Sequence, residues 1–151
     1  MNKGVSNLIV LLLAIVVLLT GCSSEVQEEQ AEYGVFLGLG REDIVLMEDY
    51  RIIVLDAQYF LPEDIERLKQ SGHIVLSYIN LGALEDFRTY YGKYVGYTLS
   101  EYENWEEERW VDVTIPEWQM FVEDLAEELL EKGCDGLFVD NVDVYYHYHT
   151  D

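Results

Sequence analysis

Three short apolar runs in this sequence each stop at a polar side chain. Leu55 is followed by Asp56, Ile79 by Asn80, and Val139 by Asp140 and Asn141. If these runs are parallel strands, their carboxyl ends converge on one cleft, where a rigidly held carboxylate can give or take a proton. Singly, each such residue can equally cap a turn or the next helix. Three strands ending alike favour a shared site. A second constellation is Gly82-Ala83-Leu84-Glu85-Asp86-Phe87-Arg88, in which Glu85 and Arg88 are spaced to pair on one helical face, at a site or at the surface. Tyr90, Tyr91, Tyr94, Tyr97, Tyr102, Trp105 and Trp110 follow. Aromatic faces suit stacking on sugar rings and their polar edges suit hydroxyls, but such residues also fill cores and pin loops, which accounts for about half of them. His147 and His149 would share one side of an extended strand, with no evident third ligand for a metal. There is no GxSxG elbow, HExxH zinc motif, phosphate loop or dinucleotide fingerprint.

The elements that must position these residues alternate along the chain. Val35-Phe36-Leu37 is a weak strand candidate. Ile52-Ile53-Val54-Leu55 and Ile74-Val75-Leu76-Ser77-Tyr78-Ile79 are too uniformly apolar for a sheet with one wet face. Between them, Pro62 suits a first helical turn with Glu63 and Asp64 at its positive end. Leu61, Ile65 and Leu68 share a face, and Gly72 stops the helix. A helix is expected near Leu84 to Tyr91, then loop to Trp110, then a short strand Trp110-Val111-Asp112-Val113. Pro116 opens the clearest helix, with Trp118, Phe121, Val122, Leu125, Ala126, Leu129 and Leu130 on one face and Gly133 at its end. Cys134 then precedes the apolar run Leu137-Phe138-Val139 and reads as a buried structural thiol. Apolar strands separated by amphipathic helices predict an α/β fold with a parallel sheet. A closed eight-stranded barrel needs about 200 to 250 residues, so residues 33–151 hold roughly half a barrel or a small open sheet.

The 151 residues carry 9 Lys+Arg against 30 Asp+Glu, a formal net charge of −21. That excludes charge-driven binding to nucleic acid or to an anionic membrane surface. Two cysteines make neither a disulfide-dense scaffold nor a four-cysteine zinc site. At the other end of the chain, Lys3 precedes an apolar run from Leu8 to Leu19, which at 1.5 Å per residue reaches about 18 Å, short of the hydrocarbon core of a bilayer. It reads as the core of a secretory signal over residues 1–21. Leu19-Thr20-Gly21-Cys22 resembles the bacterial lipobox, which implies lipidation of Cys22 and a protein anchored to the extracytoplasmic face of the cell membrane. Residues 22–32 are polar and aperiodic and read as a tether.

Several segments, in order and spacing, resemble glycoside hydrolase family 114, the endo-α-1,4-polygalactosaminidases. They are Ile53-Val54-Leu55-Asp56, Leu76-Ser77-Tyr78-Ile79-Asn80-Leu81-Gly82, Glu85-Asp86-Phe87-Arg88, Asn104-Trp105 and Trp110-Val111-Asp112. The strongest is Gly136-Leu137-Phe138-Val139-Asp140-Asn141-Val142-Asp143, close to the family's G-[VL]-F-[LV]-D-N-V-D. The resemblance runs from about Tyr33 to Tyr146. It implies a (β/α)8 TIM barrel, here its first half, that cuts polysaccharide containing α-1,4-linked galactosamine. Glycosidases use two carboxylates about the scissile bond. The resemblance makes Asp140 one of them and expects the other, a Glu, on a strand beyond this sequence. It places Asp56, Tyr78, Glu85, Asp86, Arg88, Asn141 and Asp143 around the sugar. Many relatives also carry a Glu where this chain has Ala83. No metal or organic cofactor is implied. The alternative expectation is a non-catalytic glycan-binding or structural cell-envelope lipoprotein.

Overall fold

The computed structural model describes residues 31–103 and 105–148. In chain order the strands are β1 (Ala31–Phe36), β2 (Tyr50–Leu55), β3 (Ile74–Asn80), β4 (Ala83–Glu85), β5 (Thr98–Tyr102), β6 (Trp105–Val111) and β7 (Gly136–Asp140). The helices are α1 (Pro62–Gln70), α2 (Tyr91–Tyr94), α3 (Pro116–Glu131) and α4 (Val144–Tyr148), with short 3-10 turns between some of them. The uniformly apolar runs pair as expected: β1-β2-β3-β7 form a four-stranded sheet, parallel throughout. Asn80 lies in register with Asp140, so the polar ends of β3 and β7 sit side by side.

The helical cover follows from the sequence. α1 begins at Pro62, where a missing N–H costs nothing, and the Asp64 carboxylate accepts from the Leu61 N–H at 3.0 Å. Gly72 ends it in the left-handed region (φ 97°). Ile65 and Leu68 of α1 and Leu125 and Leu129 of α3 bury against Ile53, Leu55, Val75 and Ile79, which form one face of the parallel sheet. Each such side chain contributes about 1.5–3 kcal/mol by leaving water. Cys134 lies in this core, and burial pushes its thiol up to about 11. It is an inert packing group rather than a nucleophile. Leu130, expected on the same face of α3, is exposed.

The segment between β3 and α3 differs from expectation. No helix forms over Leu84 to Tyr91. Instead β4, β6 and β5 make a three-stranded antiparallel sheet, where sequence reading expects a loop, and the strand expected at Trp110–Val113 begins at Trp105. The reason is pairing: Ala83, Leu84 and Glu85 lie opposite Trp110, Arg109 and Glu108, and this ladder, not intrinsic propensity, holds an acidic stretch extended. Leu84, Val111, Tyr94 and Trp118 form a second small core beneath it. β1 starts at Ala31, so the last two residues of the segment read as a tether are strand. His147 lies in α4 rather than on an extended strand, and His149 falls outside the described residues. Among the described residues no helix is long and apolar enough to cross a membrane.

The sheet face away from the helices is only partly covered, with Val54 and Tyr78 buried on it but their strand neighbours not. Strand alternation puts Tyr33, Val35, Ile74 and Phe138 there, 65%, 45%, 38% and 40% exposed. β1 and β7 are both edges of the sheet. Uncovered apolar strands at open edges drive association. The 151-residue chain is therefore expected to self-associate, or to need a complementing segment, and to bind an apolar fluorescent dye. A monodisperse monomer in sedimentation velocity, with one sharp melt and no dye binding, would show this wrong.

Candidate active site

The two sheets meet in a cleft of about 1000 Å³. Asp56, Tyr78, Asp140 and Asn141 reach it from the carboxyl ends of the parallel strands. Glu85, Phe87, Arg88, Tyr102, Trp105 and Glu108 reach it from the antiparallel side, and the loop Leu37–Glu42 forms the opposite lip.

Arg88 joins the two sides. Its Nη1 donates to Asp56 Oδ2 at 2.6 Å, its Nε to Glu85 Oε2 at 3.0 Å and its Nη2 to Glu85 Oε1 at 2.9 Å. The three residues are 6%, 4% and 3% exposed, so this is a buried triad and not a surface pair. Burial works against the guanidinium charge, but the hydrogen bonds and charge of Glu85, with Asp56, outweigh it and hold Arg88 above its ordinary value. Burial foremost, with the charge of Glu85, holds Asp56 above its ordinary value despite Arg88. Asp56 also accepts from the Gln58 N–H, so it caps the turn after β2 as well as facing the cleft. The rings of Phe87, Tyr59 and Tyr78 lie 5.1, 5.9 and 6.0 Å from the guanidinium carbon.

At the ends of β3 and β7 a second network forms. Asn141 adopts a left-handed backbone (φ 54°), the kind of strain that asparagine tolerates and that functional sites hold. Its N–H donates to Asp140 Oδ1 at 2.9 Å, and its side-chain amide donates to Asn80 Oδ1 at 3.0 Å and Glu108 Oε2 at 3.1 Å. Asn80 Nδ2 reaches the same Glu108 oxygen at 3.4 Å, and Asn80 Oδ1 accepts from the Ala83 N–H. Gly82 permits the arrangement: a Cβ there would lie 2.0 Å from the Asn141 carbonyl oxygen. Tyr78 is buried in register with Phe138, two residues before Asp140; burial foremost, and then the charges of Glu85, Asp140 and Glu108, hold its hydroxyl protonated well above the ordinary value.

The structure thus brings together Asp56, Tyr78, Glu85, Arg88, Asp140 and Asn141. It does not bring in Asp86 or Asp143. Both are exposed and line no part of the cleft, and Asp143 instead faces His147 one turn on, at 3.9 Å. Of the aromatic residues, Tyr102 and Trp105 line the cleft. Trp110 is buried beneath Tyr102, with ring centroids 4.4 Å apart, and Tyr94 belongs to the second core. Asn104 and Cys22 fall outside the described residues. Glu108 escapes a sequence reading because it is one glutamate in the run Glu106-Glu107-Glu108. The available signal was its spacing of two from Trp110, which puts both on one face of β6. Burial, with Glu85 and Asp140 nearby, pushes its carboxyl above the ordinary value despite the two amides. Among the described residues no group of three or more His, Cys, Asp or Glu is placed to hold a metal ion.

A parallel sheet under helices, with its cleft at the carboxyl ends of the strands, makes this chain part of a (β/α) barrel built like those of carbohydrate-cleaving enzymes. The sequence specifies which: the chain belongs to glycoside-hydrolase family GH114, whose sequence model matches residues 22–151. The uncharacterized protein MJ1477 of Methanocaldococcus jannaschii is 26% identical over 121 residues, 70% of this chain and 34% of that protein. The glycoside hydrolase domain of PelA from Pseudomonas aeruginosa superposes with a TM-score of 0.67 at 20% identity, covering 76% of this chain and 46% of that one. Ega3 of Aspergillus fumigatus, solved in complex with galactosamine, gives 0.70 at 23% identity, with 83% and 50% covered. The chain spans about a third of the length of the relatives and half that of these solved structures.

Replacing Arg88 by leucine leaves Asp56 and Glu85 buried without a counter-charge. The expected loss of stability is about 3–5 kcal/mol at neutral pH. It should shrink in acid, where the stranded carboxyls take up protons, since the folded state then holds no uncompensated charge. Urea unfolding at pH 7 and pH 4 checks this; an equal loss at both would show that the triad acts through packing.

Proposed function

We propose that the cleft takes a polysaccharide containing α-1,4-linked galactosamine, and that Asp140 is one of the two carboxylates that cut it in an endo-acting hydrolase. The observation that carries this reading is the seat of Asp140. It ends a parallel strand, opens on the cleft beside the buried Tyr78, and receives the Asn141 N–H. The cleft suits a cationic sugar. Six carboxylates line it, from Glu42, Asp56, Glu85, Glu107, Glu108 and Asp140, against the guanidiniums of Arg41 and Arg88, both already paired. Exposed rings of Tyr59, Phe87 and Trp105 offer stacking faces. The likeness to Ega3, a protein seen with galactosamine, supports the same substrate class.

The 151-residue chain is expected to bind a galactosamine oligomer and to hydrolyse it little or not at all, because the resemblance puts the partner Glu on a later strand. In a chain carrying that Glu, Asp140→Asn keeps the side chain's shape and removes its charge. Turnover should fall by more than the roughly 10²- to 10⁴-fold typical of one acid–base group if Asp140 is the nucleophile. Hydrolysis of the oligomer by both proteins, with folding checked by circular dichroism, decides it. Near-equal rates would remove Asp140 from the chemistry, and binding without turnover at any length would favour a non-catalytic glycan-binding lipoprotein.

From the apolar run Leu8 to Leu19 and the lipobox-like Leu19-Thr20-Gly21-Cys22, we also propose that lipid on Cys22 holds the protein on the extracytoplasmic face of a membrane. Cys22→Ala should release the protein from the membrane fraction or block its processing. An unchanged fractionation and gel mobility would end the anchor proposal.

A further inference from the structure

The carboxylates around the cleft differ in what holds them. Asp56 and Glu85 share the Arg88 guanidinium. Asp140 accepts from the Asn141 N–H and is assigned to the bond being cut. Glu42 and Glu107 are exposed, so water screens them. Glu108 is unlike all of these. Neutral amides alone hold it, those of Asn80 and Asn141, and both bond the same oxygen, Oε2. Among the described residues no lysine or arginine pairs with it, and Oε1 accepts no hydrogen bond.

The carboxylate is thus fixed in direction, half-buried and uncompensated, with Glu85 opposite it in the β4–β6 ladder and Asp140 nearby. Such a charge is costly until a cation meets it. A sugar hydroxyl would bond Oε1 but leave the charge in place. An ammonium group would do both, and a carboxylate already oriented by two amides loses little freedom in taking it.

We infer that Glu108 is the specificity residue of the cleft: its carboxylate takes the ammonium of an amino sugar and selects units with a free amine over N-acetylated ones. This rests on the reading of the cleft as a site for galactosamine polymers. The role belongs to a strand of the antiparallel sheet, outside the parallel barrel strands that carry Asp140.

The test compares a galactosamine oligomer with its fully N-acetylated counterpart by titration calorimetry on the 151-residue chain, wild type against Glu108→Gln. Glutamine keeps an oxygen that can accept from Asn80 and Asn141, so the network and the fold should survive, as a melting curve checks. Glu127→Gln on the wet face of α3 removes the same charge far from the cleft. The wild type should prefer the free amine. Glu108→Gln should bind the amine oligomer about 10- to 100-fold more weakly and the acetylated one unchanged, while Glu127→Gln moves neither. If Glu108→Gln keeps the preference, or weakens both oligomers alike, the inference is overturned and the cleft reading stands. If the wild type binds both equally, amine selection alone falls. If it binds neither, the cleft reading falls and takes this inference with it.

Discussion

One buried guanidinium sets the shape of the cleft. Asp56 ends a strand of the parallel sheet, whereas Glu85 and Arg88 belong to the antiparallel sheet and the turn that leaves it. Arg88 fills the space between them and bonds both carboxylates. Two sheets packed only through apolar contacts could slide, because dispersion and apolar burial are non-directional. A forked cation between two fixed carboxylates cannot slide without stranding a charge. Such a triad adds little to net stability. What it contributes is a defined angle between the sheet that carries Asp140 and the one that carries Glu108.

The second network shows the cost of gathering acids at strand ends. Asn80 and Asp140 lie in register, so any polar pair at those positions must share a few ångströms of cleft floor. Amides resolve the crowding without adding cations. Asn80 and Asn141 donate to Glu108, and Asn141 bonds back to Asn80. To reach both, Asn141 takes a left-handed backbone, and its carbonyl passes so close to residue 82 that only glycine fits. Strain of this kind is the pattern expected where a site and not stability alone shaped the chain.

What was legible in the sequence follows from how each feature is encoded. The parallel strands and α1 and α3 are written locally, in apolar runs two faces deep and in Pro62, Pro116, Gly72 and Gly133. Asp56, Asn80 and Asp140 were legible because each directly follows such a run. The antiparallel sheet was not, because Glu106-Glu107-Glu108-Arg109 has the composition of a solvated loop and becomes a strand only by pairing with partners on both sides. Glu85 and Arg88 carried a true signal at a misleading spacing. Three residues apart suits a helix, but here a turn folds Arg88 back onto Glu85, and the third member, Asp56, lies 32 residues away from Arg88. Asp86 and Asp143 carried the resemblance as well as their neighbours did, yet turn geometry points them to water.

On the proposed reading, the division of the cleft between two sheets separates recognition from cleavage. Everything argued to hold a sugar is present in the described residues: stacking rings, an acidic lining and an oriented carboxylate on β6. Cleavage asks for more, since two carboxyl groups must stand on either side of one bond at a separation that depends on the stereochemical course. Glu108 does not supply the second group simply by being near Asp140. Asn141 ties both carboxylates to the same strand end, bonding Asp140 through its N–H and Glu108 through its side-chain amide. A barrel closed by further strands would face Asp140 from across the lumen, where the inner sheet face is now bare at Tyr33, Val35 and Phe138. The exposed positions and Asp140 lie on the same side of the parallel sheet, since Phe138 and Asp140 alternate along β7 opposite Tyr78 and Asn80.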